Sequence, residues 1–173
     1  TSPGCSATPQ NPQCIPNDWH GHSAGSIVFA PDETMYVAIG DGASWDEVDP
    51  RALRSQNLDE YPGKILHIDR TGAGVASNPY YQAPGTSIRS KVFASGFRNP
   101  FRMTLQPGTS KLIVGDVGWL TREELNIVSA GDNRGWPCYE GTNIQPGYDA
   151  ANFSVCENLY AAGSGAVDMP DIN

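Results

Sequence analysis

The sequence predicts an all-β protein made of repeated antiparallel sheets, with long loops and little helix. Its 19 glycines and 14 prolines separate short apolar runs. Several of these runs are rich in β-branched residues and too short for helices, which is typical of strands. A strand, a proline turn, a second strand and a Gly-Asp pair occur twice, the second time about 75 residues after the first.

The strands of the first copy are predicted at 26–30, 35–39, 64–68 and 91–95, and the turn 31–34 joins the first two. The second copy has strands at 101–105, 111–114 and 124–128. Residues 43–62 form a long polar loop with at most one helical turn. Repeated antiparallel units at this spacing favour the blades of a β-propeller. A β-sandwich whose hairpins merely look alike is the alternative.

The chain divides into three segments by composition. Residues 1–18 hold four prolines and two cysteines and are predicted to be an irregular segment held by a disulfide. Residues 19–140 contain the predicted blades. Residues 141–173 are rich in Gly, Asn, Ser and Ala, which predicts a tail of loops that leads into a further blade.

The charge and the hydropathy pattern exclude two classes of partner. The formal net charge is -8, and the 11 Lys and Arg residues form no cluster. Nucleic acids and anionic membranes both attract clustered cations, so neither is an expected partner. No apolar run approaches the roughly 20 residues that a membrane-spanning helix needs.

Four cysteines in a chain of this composition favour an oxidising compartment, and the protein is therefore expected to be extracellular or periplasmic. Of the three possible pairings, Cys5–Cys14 and Cys138–Cys156 are preferred because each closes a local loop. A metal site is the alternative, but no two cysteines have the C-x-x-C spacing typical of zinc.

An ordered series of short motifs resembles the glucose/sorbosone dehydrogenase family. The series comprises 22–32, Tyr36, 40–42, 63–66, 78–79, 96–100, Gly118, 123–126 and 135–137. The resemblance implies a six-bladed β-propeller, of which this chain would supply about two to three blades. It also implies pyrroloquinoline quinone (PQQ) and Ca²⁺ as cofactors.

Carried over onto matching positions, the resemblance assigns one catalytic residue and two residues that bind the cofactor. His22 would be the general base that removes the proton of a sugar hydroxyl, a task that suits an imidazole. Arg98 and Asn99 would contact the quinone, where a fixed guanidinium can stabilise negative charge. The structural alternatives are a histidine hydrogen-bonded near a strand and an arginine paired with a carboxylate.

The same resemblance predicts the metal ligands. The main-chain carbonyls of Gly118 and Trp119 would bind the calcium ion that touches the cofactor, because calcium prefers oxygen ligands. Glu124 matches a carboxylate that some members use for a second calcium ion, although a solvated strand charge explains it equally well. The acidic residues Asp46, Glu47 and Asp49 are predicted to be solvated.

The resemblance implies a PQQ-dependent dehydrogenase that oxidises an aldose or pyranose at a carbon bearing hydroxyl. Its partners would be the sugar, an external electron acceptor and the remainder of the propeller. Two positions depart from the family pattern. Ala24 replaces a glycine, and Gly21 stands where glucose-oxidising members carry an acidic residue. These departures keep open a second function, a non-catalytic extracellular propeller that binds carbohydrate or protein.

Overall fold

The structure is a computed structural model that describes residues 14–16 and 18–173. Its strands are β1 (Ala24–Phe29), β2 (Met35–Ile39), β3 (Lys64–Ile68), β4 (Val92–Ser95), β5 (Pro100–Leu105), β6 (Leu112–Asp116), β7 (Glu124–Val128), β8 (Tyr139–Glu140) and β9 (Asn143–Ile144). The helices are α1 (Ile88–Lys91), α2 (Pro146–Ala150) and α3 (Ser154–Ala162), with 3₁₀ helices at Pro50–Gln56 and Ser164–Ala166. The predicted all-β class is confirmed.

The two larger sheets are antiparallel meanders. One has four strands in the order β1-β2-β3-β4, and the other has three in the order β5-β6-β7. Within each sheet, strands that follow one another in the sequence are hydrogen-bonded neighbours. Sheets of this kind are the blades of a β-propeller, so the chain forms part of a propeller.

The two blades pack against each other through one apolar layer. Its buried residues are Tyr36, Ala38, Ile65, Ala94, Phe97, Met103, Leu112, Val114 and Val128. The inner strands β1 and β5 lie side by side, and the Met103 amide donates to Ser26 Oγ at 3.3 Å. Burial of this layer is the main force that holds the two sheets together.

The predicted strands and the observed strands agree closely. The predictions for β2, β3 and β7 have the observed bounds. The strand predicted at 91–95 begins one residue later, because Ser87 caps the short helix α1 that precedes it. The helical turn expected in the loop 43–62 is the 3₁₀ helix Pro50–Gln56, which Asp49 caps by accepting the Arg51 amide at 2.9 Å.

The C-terminal segment folds back onto the end of the sheets. Helices α2 and α3, which the sequence analysis did not predict, pack beside the loop that follows β7. The predicted disulfide between Cys138 and Cys156 is present and fastens α3 to that loop. The predicted partner of Cys14, Cys5, lies outside the described residues, as does most of the predicted segment 1–18.

No helix in the described part of the chain is both long enough and apolar enough to cross a membrane.

A buried lysine ties the 3₁₀ helix to the first sheet. Lys64 begins β3 and is fully buried. Its Nζ donates to the carbonyl oxygens of Arg54 (2.9 Å), Ser55 (2.9 Å) and Pro62 (2.8 Å). Three acceptors suit the three N–H groups of an ammonium, whereas burial favours the neutral amine. Burial lowers the pKa of Lys64 to about 7, against the opposing charge of Glu60.

We expect Lys64→Met to lower the free energy of unfolding by about 2–3 kcal/mol, because the two hydrogen bonds of a neutral amine or the three of an ammonium, worth roughly 1 kcal/mol each, are lost. Between pH 7 and the usual lysine pKa near 10.5, the unfolded chain binds a proton that the folded chain does not. The stability of the native protein therefore rises with pH over this window, and the cost of the substitution grows with it. Urea unfolding at pH 7 and pH 10 measures both effects.

The exposed Lys111 provides the control, because Lys111→Met should leave stability unchanged at either pH. A cost of Lys64→Met that is constant from pH 7 to pH 10 would show that the three carbonyl groups hold the ammonium form.

Candidate active site

A histidine and an aspartate form a pair at one end of the first sheet. His22 precedes β1 and Asp41 follows β2, and because these strands are antiparallel neighbours, both residues reach the same end. His22 Nδ1 lies 2.8 Å from Asp41 Oδ1, and the side chains are only 8% and 1% exposed. Since the carboxylate accepts the Nδ1 proton, Nε2 keeps its lone pair and can accept another.

Asp41 also holds two neighbouring segments. Its Oδ2 accepts the indole N–H of Trp136 at 2.8 Å, and its Oδ1 accepts the Ala43 amide at 3.0 Å. The Asp41 amide in turn donates to the carbonyl of Arg98 at 2.8 Å. One buried carboxylate thus fixes the histidine relative to the loops that carry Trp136 and Arg98.

The backbone of His22 occupies an uncommon conformation. Its φ is 53°, in the left-handed region that a residue with a side chain rarely adopts. The amide of Gly42 donates to the His22 carbonyl at 3.3 Å. A Cβ on Gly40 would lie 2.3 Å from the same carbonyl oxygen. The two backbone segments approach each other so closely that glycine is required there.

Arg98 is a buried cation next to this pair. Its Nη1 donates to the carbonyl oxygens of Val117 (3.0 Å) and Gly118 (2.7 Å), and its guanidinium carbon lies 5.4 Å from the centre of the Trp136 ring. Burial lowers the pKa of Arg98, but a guanidinium remains charged. Among the described residues, no hydrogen bond joins Arg98 Nε or Nη2 to the protein, so these donors can bind a ligand.

Asp116 positions the Arg98–Asn99 backbone. Its Oδ2 accepts the Arg98 amide at 3.0 Å and its Oδ1 accepts the Asn99 amide at 2.6 Å. Burial and the nearby Glu124 carboxylate raise the pKa of Asp116 to about 8. The main chain of both predicted cofactor ligands is therefore anchored from within the second blade.

Glu140 organises the loop that contains Gly118 and Trp119. Its Oε1 accepts hydrogen bonds from four consecutive amides, those of Trp119, Leu120, Thr121 and Arg122, at 2.7–3.3 Å. Although burial acts to raise it, these donors lower the pKa of Glu140. Successive N–H groups that converge on one anion fix the course of a loop.

The predicted calcium site at Gly118 and Trp119 does not fit with Arg98 in this position. The Gly118 carbonyl oxygen already accepts a hydrogen bond from Arg98. A divalent cation on the same oxygen would face the guanidinium at close range, and like charges repel. Calcium on this carbonyl oxygen would therefore require Arg98 to shift or an anion to lie between the two charges.

At Glu124, both carboxylate oxygens already have donors within the protein. Oε1 accepts the Gly141 amide at 2.8 Å and Oε2 accepts Asn126 Nδ2 at 3.3 Å. Burial raises the pKa of Glu124, so this group is not the solvated strand charge of the alternative interpretation. The residues that the structure describes contain no cluster of three or more His, Cys, Asp or Glu able to hold a metal ion.

The sequence analysis missed Asp41 and Glu140. The sequence marks Asp41 only as part of the motif 40–42 and of the Gly-Asp pair that recurs at Asp116, and that recurrence is a usable signal. No sequence signal marked Glu140. The prediction that Asp49 is solvated was wrong, because Asp49 is buried, caps the 3₁₀ helix and pairs with Arg51 at 2.6 Å.

Three comparisons with known proteins agree with one another. The family model described as Glucose / Sorbosone dehydrogenase matches residues 11–160. Quinoprotein glucose dehydrogenase B of Acinetobacter calcoaceticus is 27% identical over 149 residues, which are 79% of this chain and 30% of that protein. The HIPL1 protein of Arabidopsis thaliana is 31% identical over 140 residues, which are 71% of this chain and 19% of that protein.

A solved structure supports the same relationship. The PQQ-bound form of aldose sugar dehydrogenase from Streptomyces coelicolor superposes with a TM-score of 0.57 at 31% identity, over 70% of this chain and 32% of that one. The chain thus spans at most about a third of the length of the relatives named here.

We expect Asp41→Asn to destabilise the fold by about 1–3 kcal/mol, because the amide NH₂ would oppose one of the N–H donors that the carboxylate now satisfies. Thermal or urea unfolding measures the loss. Asp46→Asn, an exposed change five residues along the same loop, is the control and should be neutral. Equal stability of the two variants would show that Asp41 does not hold the site together.

Proposed function

Because the chain belongs to the glucose/sorbosone dehydrogenase family, we propose that it is the part of a PQQ-dependent sugar dehydrogenase that carries the catalytic base and an arginine for the cofactor. The observation that supports the proposal is the continuous contact from His22 through Asp41 and Trp136 to Arg98. This arrangement places a proton acceptor and a fixed cation at one end of the same two sheets.

The proposed reaction is the oxidation of an aldose or pyranose at a carbon that bears a hydroxyl group. His22 Nε2 accepts the hydroxyl proton as the C–H bond breaks. The Asp41 carboxylate orients the ring through Nδ1 and stabilises the imidazolium that results. When bound, PQQ supplies the two-electron acceptor for the hydride that leaves the carbon.

Arg98 and Asn99 are proposed to bind the quinone. The Arg98 donors at Nε and Nη2 have no protein partner within the described residues, and they match the oxygens of an anionic ligand. The face of Trp136 supports the guanidinium from one side. A buried cation is effective because the surrounding dielectric is low.

Each of the two proposed calcium sites requires a local rearrangement before it can bind the ion. Binding at Gly118 and Trp119 requires Arg98 to shift from the Gly118 carbonyl, for instance by turning toward an anionic cofactor, or an anion to lie between the two charges. Binding at Glu124 requires that carboxylate to exchange its protein donors. No step of the reaction proposed here depends on either ion.

The disulfide between Cys138 and Cys156 supports an extracellular or periplasmic location, where such bonds persist. The proposed partners are the sugar, an external electron acceptor and the remaining blades of the propeller.

We expect His22→Ala to reduce kcat by a factor of about 10²–10⁴, the usual contribution of a positioned general base. The assay follows bleaching of an artificial electron acceptor by the intact, cofactor-loaded protein with a panel of aldoses. The exposed His20 is the matched control, and His20→Ala should retain kcat. A native rate in His22→Ala would exclude His22 as the base. Absence of turnover in the native protein with every sugar would favour the non-catalytic binding module.

We expect Arg98→Lys to weaken PQQ binding by about tenfold, which is 1.4 kcal/mol, because the ammonium keeps the charge but loses the planar fork of donors. Direct titration of the protein with PQQ measures this effect independently of turnover. Arg102→Lys, an exposed arginine of β5, should leave the affinity unchanged. Native affinity in Arg98→Lys would place the cofactor elsewhere.

A further inference from the structure

An exposed tryptophan lies beside the proposed base. Trp45 belongs to the loop that follows Asp41, and its ring centre is 6.2 Å from that of His22. The residue is 42% exposed, whereas Trp136 of the same site is buried. The indole therefore offers apolar surface to a ligand that reaches His22.

The indole ring rests on a glycine. A Cβ on Gly21 would lie 2.6 Å from Cζ3 and 3.1 Å from Cε3 of Trp45, and the nearest atoms to that point all belong to this ring. Gly21 does not have a positive φ, so its backbone does not require glycine. Any larger residue at position 21 would therefore have to displace the ring from this position.

One ring contact and two main-chain hydrogen bonds hold Trp45 and its loop in place. The Trp45 carbonyl accepts the indole N–H of Trp119 at 2.6 Å. The ring of Trp19 meets that of Trp45 edge-on, with centres 5.8 Å apart. The preceding Ser44 donates its amide to the buried Asp49 at 2.8 Å. Trp45 is thus a fixed surface with one side packed and another side open to solvent.

We propose that Trp45 is the surface on which the sugar ring stacks, and that Gly21 is a specificity-determining position because it makes room for this indole. The inference rests on the proposed function, since it identifies the substrate contact of that same site. The ligand class is a pyranose with an apolar face of axial C–H bonds, as in β-gluco-configured sugars. Such a face packs on an indole, while the ring hydroxyls remain at the edge for polar groups.

Stacking of this kind has a consequence for selectivity. The indole contacts the whole face of the sugar ring and makes no hydrogen bond to a particular hydroxyl. A hydrogen-bonding site rejects an analogue that lacks one hydroxyl far more strongly than an apolar surface does. The indole should therefore bind both D-glucose and the longer β-glucoside cellobiose, whichever of them is oxidised in the absence of an acidic residue at position 21.

The test measures binding separately from turnover. Isothermal titration of the intact protein without cofactor, with D-glucose and with cellobiose as probes, gives the affinity of native protein, Trp45→Ala and Trp45→Phe. We expect Trp45→Ala to weaken binding at least about tenfold and Trp45→Phe to restore most of it. Ile144→Ala, a change at a similarly exposed apolar residue on β9, is the control and should bind as the native protein does.

The role of Gly21 is tested by a double-mutant comparison, whose expected result differs from that of a general loss of folding. Gly21→Ala should weaken sugar binding in the native background, because its methyl group displaces the indole. In the Trp45→Ala background the same substitution should cost nothing more, so the two changes are strongly non-additive. Additive effects would separate Gly21 from Trp45 and overturn that part of the proposal.

The kinetic outcomes distinguish this inference from the proposed function. In the cofactor-loaded protein, Trp45→Ala should raise KM and leave kcat within about threefold, because it removes binding common to ground and transition states. Turnover with an unchanged KM in Trp45→Ala refutes the stacking surface and leaves the dehydrogenase standing. Sugar binding that depends on Trp45, without turnover, refutes the dehydrogenase and leaves the stacking surface standing. Failure of the native protein to bind either probe refutes the stacking surface.

Discussion

The candidate site depends on one buried carboxylate. Asp41 accepts hydrogen bonds from the imidazole of His22, the amide of Ala43 and the indole of Trp136, which lies 95 residues away in the sequence. A buried carboxylate without donors would be very costly, so these three N–H groups have to be present wherever Asp41 is buried. Because His22 and Trp136 both donate to Asp41, one carboxylate holds the proposed base and the tryptophan that supports Arg98.

The second blade also contains a buried carboxyl group at the end of its second strand, but this group accepts hydrogen bonds from different donors. Asp116 is the last residue of β6, and Asp41 lies two residues after the end of β2, so each comes at the end of the second strand of its blade, directly after a glycine. Its carboxylate accepts the main-chain amides of Arg98 and Asn99, so it fixes the backbone and leaves both side chains to other partners. In the first blade the carboxylate holds a side chain, and in the second it holds a main chain. The repeated Gly-Asp pair thus supplies two buried carboxyl groups that position the residues of one site.

The strands were predictable because their signal is local. Alternating apolar residues and turn residues such as Pro31 and Gly108 specify a hairpin without reference to the rest of the chain. Asp41 and Glu140 have roles that depend on groups 95 and about 20 residues away, so residue type and spacing carried little information about them. The helices α2 and α3 were missed for a related reason. They are only five and nine residues long, and packing onto the loop after β7, together with the disulfide, stabilises them more than intrinsic propensity does.

The outer face of each blade carries exposed apolar residues. Ile27 and Phe29 on one side, and Leu125 and Ile127 on the other, are exposed at alternating positions of their strands. Alternation places such residues on one face of a sheet, and an apolar face of this kind is normally covered by another layer. In a propeller that layer is the next blade on each side. A neighbouring blade on each side would cover these residues, next to the end of the sheets where His22, Arg98 and Trp45 lie.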